Sequence, residues 1–427
     1  MLPGVLLREW LVDARQRTLA LVRDLNNEQL IGPRLTTINP LLWELGHVGW
    51  FQEHWVLRHA RRLARRLRDD LYDSSHVAHD TRWDLPLPSR DATLAHLSDV
   101  LETVVKGLTR LSEGSREPYF LRLAIFHEDM HGEAFWMTRQ TLAYPNVSWN
   151  TSAAPPVQTG AAGDAHVPGG TFVLGTVADA PFLFDNEKWP HPVRVEPFAI
   201  KRLAETQAEF AAFVDDKGYA RAEFWSDAGW RWRRHAQAEH PLYWRRDGRT
   251  WLRRHFDAWV ELEPTLPIHL INHFEAAAYC RWAGRRLPTE LEWEVAAAAT
   301  PDCSGTLASE RRLYPWGEVA PNPERAHLDG RTTQPVDVRA FAAGDSAWGC
   351  RQMLGNVWEW TESDFLPFPG FSPDPYEDYS QPWFSTHKVL KGGSWATRSR
   401  MIRTAFRNFY TPDRRDVFAG FRTCALP

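Results

Sequence analysis

Two histidines one helical turn apart, His127 and His131 in the segment FHEDMHGEAFW, are the residues of this chain best suited to metal chemistry. Side chains at i and i+4 of a helix project from one face, so two imidazoles so placed can hold one ion. Glu133 is less well placed. At 100° per residue it lies about 200° around the helix from His131, which suits packing or a hydrogen bond behind a ligand better than ligation. Histidine pairs of this spacing are more often solvent-facing or singly hydrogen-bonded, but the apolar run around this one, LRLAIFHEDMHGEAFWM, favours the interior. A third ligand must come from elsewhere. The segment LLWELGHVGWFQEHWVLRHA offers His47 and His54 on one face at seven-residue spacing, then His59. His47 sits in an apolar stretch, where a buried imidazole needs a partner; His54 and His59 lie nearer the charged end. On these grounds His47 is modestly preferred and His54 stays open.

The elements that must position these residues read as helices. Apolar positions recur at three- and four-residue spacing from about Val5 to Leu25. Asn39-Pro40 predicts a helix start, with Asn39 as N-cap and Pro40 at the first helical position, and the helix runs to about residue 60. A loop rich in Asp, Ser and Pro follows. Further helices are predicted from about Ala92 to Leu111 and from about Pro118 to Leu142. Four amphipathic helices with one long crossover predict a bundle. From about 143 to 166 the sequence turns rich in Pro, Gly, Ala and Ser without a period, as a linker or surface strap does. Beyond it, VPGGTFVLG and HPVRVEPFAI read as short strands. AETQAEFAAFVDDKG reads as a helix with a glycine stop, and HFEAAAYCRWAG and PTELEWEVAAAA as two more helices. From about 313 onward come short strands and long loops. The expected fold class is α+β in two domains, residues 1–150 helical and residues 165–427 mixed with much irregular structure.

Composition bounds the function. At 427 residues the chain exceeds one ordinary core. It is 43% hydrophobic and 24% charged with a formal net charge of −4, so nothing global points to nucleic acid or to an anionic membrane. The longest apolar runs are too short to span a bilayer. The start, MLPGVLLREWLVDARQRTLALVRDL, carries charges throughout and does not read as a signal peptide. Cys280, Cys303, Cys350 and Cys424 form no CxxC pair, which fits a reducing cytoplasm better than a disulfide framework. The 22 tryptophans suit a loop-rich domain with a core built from rings. Small-molecule partners are expected; oligomeric state is left open.

Two sets of motifs carry a family resemblance. HEDMHGE and LGHVGWFQEHW resemble the HxxxHxE motif and the first-ligand helix of the DinB-like domain of ergothioneine synthases of the EgtB type. PGGTFVLG, RRLPTELEWEVAA, YPWGE, GNVWEWT, VLKGGSWATR and GFRTCA resemble the formylglycine-generating-enzyme (sulfatase-modifying factor) fold, which is C-type-lectin-like. The resemblance covers nearly the whole chain. It implies a non-haem Fe(II) cofactor held by His47, His127 and His131, with sulfur joined to imidazole C2 of hercynine (trimethylhistidine) in an O2-dependent reaction. Three neutral nitrogens suit an iron that also accepts a soft anionic donor. In the family a tyrosine from the loop after GNVWEWT supplies a proton, or a proton and an electron. Tyr376 of PYEDY occupies that place, with Tyr379 lining the substrate pocket. Asn408, in FRNFYTPDRRDVFAGFR, matches the segment that holds substrate. The trimethylammonium group suits aromatic faces; Trp395 and Phe409 are candidates, unranked.

Departures from the family concern the donor. Well-known actinobacterial members bind γ-glutamylcysteine with arginines three apart, whereas this loop has Arg82 and then Arg90. Those members place an aspartate after an Asn-Trp pair; here Asn408 is followed by Phe409 and Tyr410. The residue before the last ligand is often Gln; here it is Met130, which removes an amide hydrogen-bond partner. Arg82, Met130, Phe409 and Tyr410 therefore join the expected donor and substrate contacts. The pattern looks most like selenoneine synthases of the SenA type, which use a selenosugar donor. The alternative is an ergothioneine-type sulfoxide synthase with a thiol donor such as γ-glutamylcysteine or cysteine. A further alternative is a DinB-type metal-dependent thiol transferase with a binding module, which predicts zinc tolerance and no use of O2. True formylglycine-generating chemistry needs a close cysteine pair, and GGSWATRSRMIRTAFRN has none.

Overall fold

The predicted helical periodicity is realised in the first of two compact units, Met1–Tyr144, and the mixed pattern in the second, Pro145–Pro427. The computed structural model describes residues 3–59, 69–108, 117–147, 156–157, 160–176, 180 and 182–427. The expected helix ends at residue 60 and Leu111 lie outside these, as do residues 148–155 and 158–159 of the expected linker.

In the first unit the long helices are α1 (Pro3–Ala20), α3 (Leu41–Gln52), α5 (Arg90–Gly107) and α6 (Glu117–Thr141). Two short helices, α2 (Asn27–Ile31) and α4 (Asp69–Tyr72), sit in the connections. α1 packs on α6, and α3 packs on both α5 and α6. Buried Arg15 joins all four. Its guanidinium donates to Glu128 on α6 at 2.8 Å, to Gln52 on α3 at 3.2 Å and to the Leu97 carbonyl on α5. A buried guanidinium is tolerated only when its donors are matched in this way.

The start of α3 differs from expectation. Pro40, not Asn39, stands at the N-cap and makes no side-chain cap, while its carbonyl accepts from the Glu44 N–H at 3.0 Å. The Asn39 amide oxygen is taken by Arg82 at 2.7 Å. Beyond Gln52 the helix widens into a π-helix, Glu53–His59, which carries His54 and His59. Gly46 lets α3 approach α4, because a Cβ there would overlap the Tyr72 ring.

The second unit holds a four-stranded sheet in the order 164–167, 198–201, 424–425, 285–286, and another in the order 408–410, 388–391, 358–364, 419–420. The three expected helices are Gln207–Asp215, His273–Trp282 and Glu290–Ala298, each opened by a capping box on Thr206, Asn272 or Thr289. The expected glycine stop is different in kind. Lys217 takes the left-handed conformation at φ 59°, and Gly218 is needed because a Cβ would collide with Phe213. Trp293, Trp358, Trp360 and Trp395 are each 1% exposed or less, the ring-built core that the tryptophan content predicts. Among them lies a buried ion pair: Arg422 grips Glu359 at 2.6 and 2.7 Å, and Trp293 Nε1 donates to the same carboxylate at 2.7 Å.

Candidate metal centre and substrate-site residues

α3 and α6 bring His47, His127 and His131 together, with one ligand atom of each within 4.8 Å of the others. His54 and His59 are outside this group; His54 lies between Trp50 and Trp55, its ring centroid 5.0 Å from each. Seven residues separate His54 from His47, a rise of about 10 Å along a helix. The level at which α6 crosses α3 therefore selects the residue.

Each imidazole is oriented from behind. His47 Nδ1 donates to the Tyr72 carbonyl at 2.7 Å, which leaves Nε2 with the lone pair. His131 Nδ1 donates to Glu44 Oε1 at 2.5 Å. Glu44 is 1% exposed and one turn before His47 on α3, so one helix supplies an expected ligand and the carboxylate behind another. The His127 ring stacks on Phe51 at 3.5 Å, and His47 stacks on Trp43 at 4.9 Å. His47 Nε2 and His127 Nε2 are 3.1 Å apart, close enough to face one cation. Burial holds both rings neutral: it pushes their pKa values well below the ordinary range, helped by the neighbouring His131. Imidazole nitrogens, held neutral by burial at His47 and His127 and oriented by hydrogen bonds at His47 and His131, are what a borderline metal such as Fe(II) takes as ligands, so the donor set fits that ion.

The remaining expected residues divide. Glu133 is buried and Met130 half-buried on α6, neither within the three-histidine group. Arg82, expected as a donor contact, is 8% exposed and committed to the scaffold. It donates to Asn39 and to the Val77 carbonyl, and its Cζ lies 3.9 Å over the Trp43 ring. Arg90 donates to the carbonyls of Leu25 at 2.7 Å and Arg23 at 3.1 Å.

In the second unit Tyr376 precedes and Tyr379 ends a 3₁₀ turn, Glu377–Tyr379, with ring centroids 6.2 Å apart. Tyr379 stacks on Phe184 at 4.2 Å and meets Phe409 edge-on at 5.9 Å. Burial raises the Tyr379 phenol well above its usual range, reinforced by Glu187 and Asp185. Asn408, Phe409 and Tyr410 pair with Leu390, Val389 and Lys388 in one short strand. Side chains alternate along a strand, so Phe409 shares a face with neither neighbour. Phe409 joins Tyr379, while Tyr410 lies under the Arg414 guanidinium at 5.1 Å. Trp395 is 1% exposed against Phe418, which removes it from the cation candidates and leaves half-buried Phe409. Glu44 and Tyr72 were not anticipated. Glu44 had a signal, an acidic residue in the apolar run LLWELGHVGW; the Tyr72 contact is made by backbone and had none.

Residues 151–425 match the Sulfatase-modifying factor enzyme 1-like domain, and residues 11–135 match the DinB superfamily. Among curated proteins the chain is 40% identical over 423 residues to the hercynine oxygenase of Mycolicibacterium thermoresistibile, covering 96% of this chain and 93% of that one. It is 39% identical to that of Mycobacterium tuberculosis over 96% of both chains. A formylglycine-generating enzyme of Thermomonospora curvata is 33% identical over 62% of this chain and 94% of its own. Fold and motifs thus define a DinB-type helical domain joined to a sulfatase-modifying-factor-type domain. The chain belongs to the hercynine oxygenase family, the EgtB-type family its motifs indicate, and is an oxidoreductase enzyme. No helix among the described residues is long and apolar enough to cross a membrane.

Proposed function

We propose that this chain joins a chalcogen donor to imidazole C2 of hercynine in an Fe(II)- and O2-dependent reaction. The observation that carries the reading is the three-histidine group, with His47 and His127 buried and His131 half-buried, in a chain about 40% identical over nearly its full length to proteins named hercynine oxygenases. His47, His127 and His131 would hold the ion. Bound Fe(II) supplies one-electron redox chemistry and open coordination positions. Tyr72 and Glu44 keep the ligand tautomers, Tyr376 holds the proton the reaction requires, and Tyr379 and Phe409 present ring faces to the trimethylammonium cation.

The donor in this proposal is a selenosugar. Arg82 and Arg90, the arginines nearest the family's carboxylate-binding pair, are engaged by carbonyl and amide oxygens and by a tryptophan face, which suits a donor without charged ends. A thiol donor such as γ-glutamylcysteine or cysteine is the second reading, in line with the near-full-length similarity to hercynine oxygenases. The test is anaerobic reconstitution with Fe(II), then hercynine, O2 and selenosugar, thiosugar, γ-glutamylcysteine and cysteine in competition, with products read by mass spectrometry. Selenosugar product is expected. Product from γ-glutamylcysteine alone would establish the second reading, and hercynine left intact with every donor would sink both.

A further inference from the structure

The turn bearing Tyr376 is held at both of its ends by one short segment, residues 184–188. On one side of Tyr376, Lys188 Nζ donates to both carboxylate oxygens of Asp374, at 2.6 and 2.8 Å. On the other side, Ser380 is fully buried. Its hydroxyl donates to Asp185 Oδ1 at 2.5 Å and accepts from Asn186 Nδ2 at 2.9 Å. Between these grips the Phe184 ring stacks on Tyr379. The holding segment is itself fixed from behind. Arg403 makes a two-pronged pair with Glu187 at 2.7 and 2.9 Å, and Arg407 donates to the Asn186 carbonyl at 2.9 Å.

This is more polar apparatus than a solvent-facing turn needs. A loop that only connects two strands ordinarily runs over the surface and is more mobile than the strands it joins. Here the Lys188–Asp374 pair is largely shielded, with side-chain exposures of 16% and 20%, and the Ser380 contacts are wholly buried. Shielded charge-assisted bonds are the strong ones, and they bracket Tyr376 at two residues on one side and four on the other.

We propose that Lys188, Asp185 and Asn186 are positioning residues that hold the Tyr376 turn in its working geometry. The catalytic half of this rests on the role of Tyr376 proposed above; the structural half does not. The clamp acts through geometry alone: Lys188 and Asn186 touch the turn at Asp374 and Ser380 and need touch no substrate.

The test uses the full chain, loaded with Fe(II), with Lys188→Met, Lys188→Arg, Ser380→Ala and Tyr376→Phe variants. Amide hydrogen exchange over 374–380 reads the clamp directly. Lys188→Met and Ser380→Ala are expected to speed exchange there and leave α3 and α6 unchanged, with Lys188→Arg close to the parent. Turnover of hercynine with the donor panel reads the consequence. Lys188→Met is expected to lower kcat by about 10- to 100-fold, as misplacement of a reacting group does, at unchanged KM for hercynine and unchanged iron content. Lys188→Arg should recover most of the loss. Unchanged exchange in both Lys188→Met and Ser380→Ala overturns the clamp, whatever the turnover. Faster exchange with parental kcat overturns its role in positioning. Full turnover by Tyr376→Phe sinks the assignment of Tyr376 instead, and the exchange result still decides the clamp.

Discussion

His47 is held by a backbone carbonyl, His131 by a carboxylate and His127 by a ring face. These supports predict unequal responses to mutation. His47→Ala should abolish stoichiometric iron binding and His54→Ala should not, read as metal content after anaerobic loading; the reverse result would place the ligand one level along the helix. Glu44→Ala removes the acceptor behind His131 and should weaken iron affinity by about 10- to 100-fold, the usual cost of losing such a support, in a competitive chelator titration. Asp185 gives a prediction in pH. Burial, opposed by the Ser380 hydrogen bond and reinforced by Asp374, raises its carboxyl from the ordinary range to about 6. Lys188, Glu187 and Arg403 complete the charged surroundings, each already paired. The folded chain therefore keeps this proton to a higher pH than the unfolded chain does. Its stabilising effect is complete at acidic pH and is lost as pH rises from the ordinary carboxylate value through about 6. Asp185→Asn should remove that component, so the difference in urea midpoint between parent and variant should shift in the variant's favour across this window.

Elements decide how close the supports come. α3 approaches α4 over Gly46, and the contact aligns the Tyr72 carbonyl with His47. Gly46→Ala should gain about 1 kcal/mol of helix propensity and lose about 1–3 kcal/mol to overpacking against the buried Tyr72 ring. A net loss in denaturant midpoint, together with weaker iron binding, is expected; a more stable variant would mean that α4 yields easily. At the same scale the strand 408–410 separates residues that motif matching treats as a group. Alternation sends Phe409 to the tyrosine cluster and Asn408 and Tyr410 to the opposite face. Phe409 meets Tyr379 edge-on there.

Across the whole molecule the two units are built on different terms. The first is a helical bundle whose central polar contact is Arg15, matched on three other helices. The second is a ring-rich core threaded by buried ion pairs, Arg422 with Glu359 and Lys391 with Glu294. Removing one partner strands a buried charge, so Glu359→Ala should cost about 3–5 kcal/mol and lower the thermal midpoint of the full chain. A change within scan error would mean that water or rearrangement rescues Arg422.

Sequence periodicity alone placed the long helices of the first unit, with their approximate starts, and the one-turn spacing of His127 and His131. Those properties depend on neighbours three or four positions away. The motifs identified the family for the same reason, since they are short and contiguous. Packing decided the rest. Helical spacing leaves His47 and His54 on one face, and only the crossing of α3 with α6 chooses between them. Arg82 reads as an available cation until the fold buries it on Trp43 and Asn39. Glu44, Tyr72 and the 184–188 clamp join residues 25 to 195 positions apart, and no local pattern encodes a contact whose partner is set by where distant elements meet.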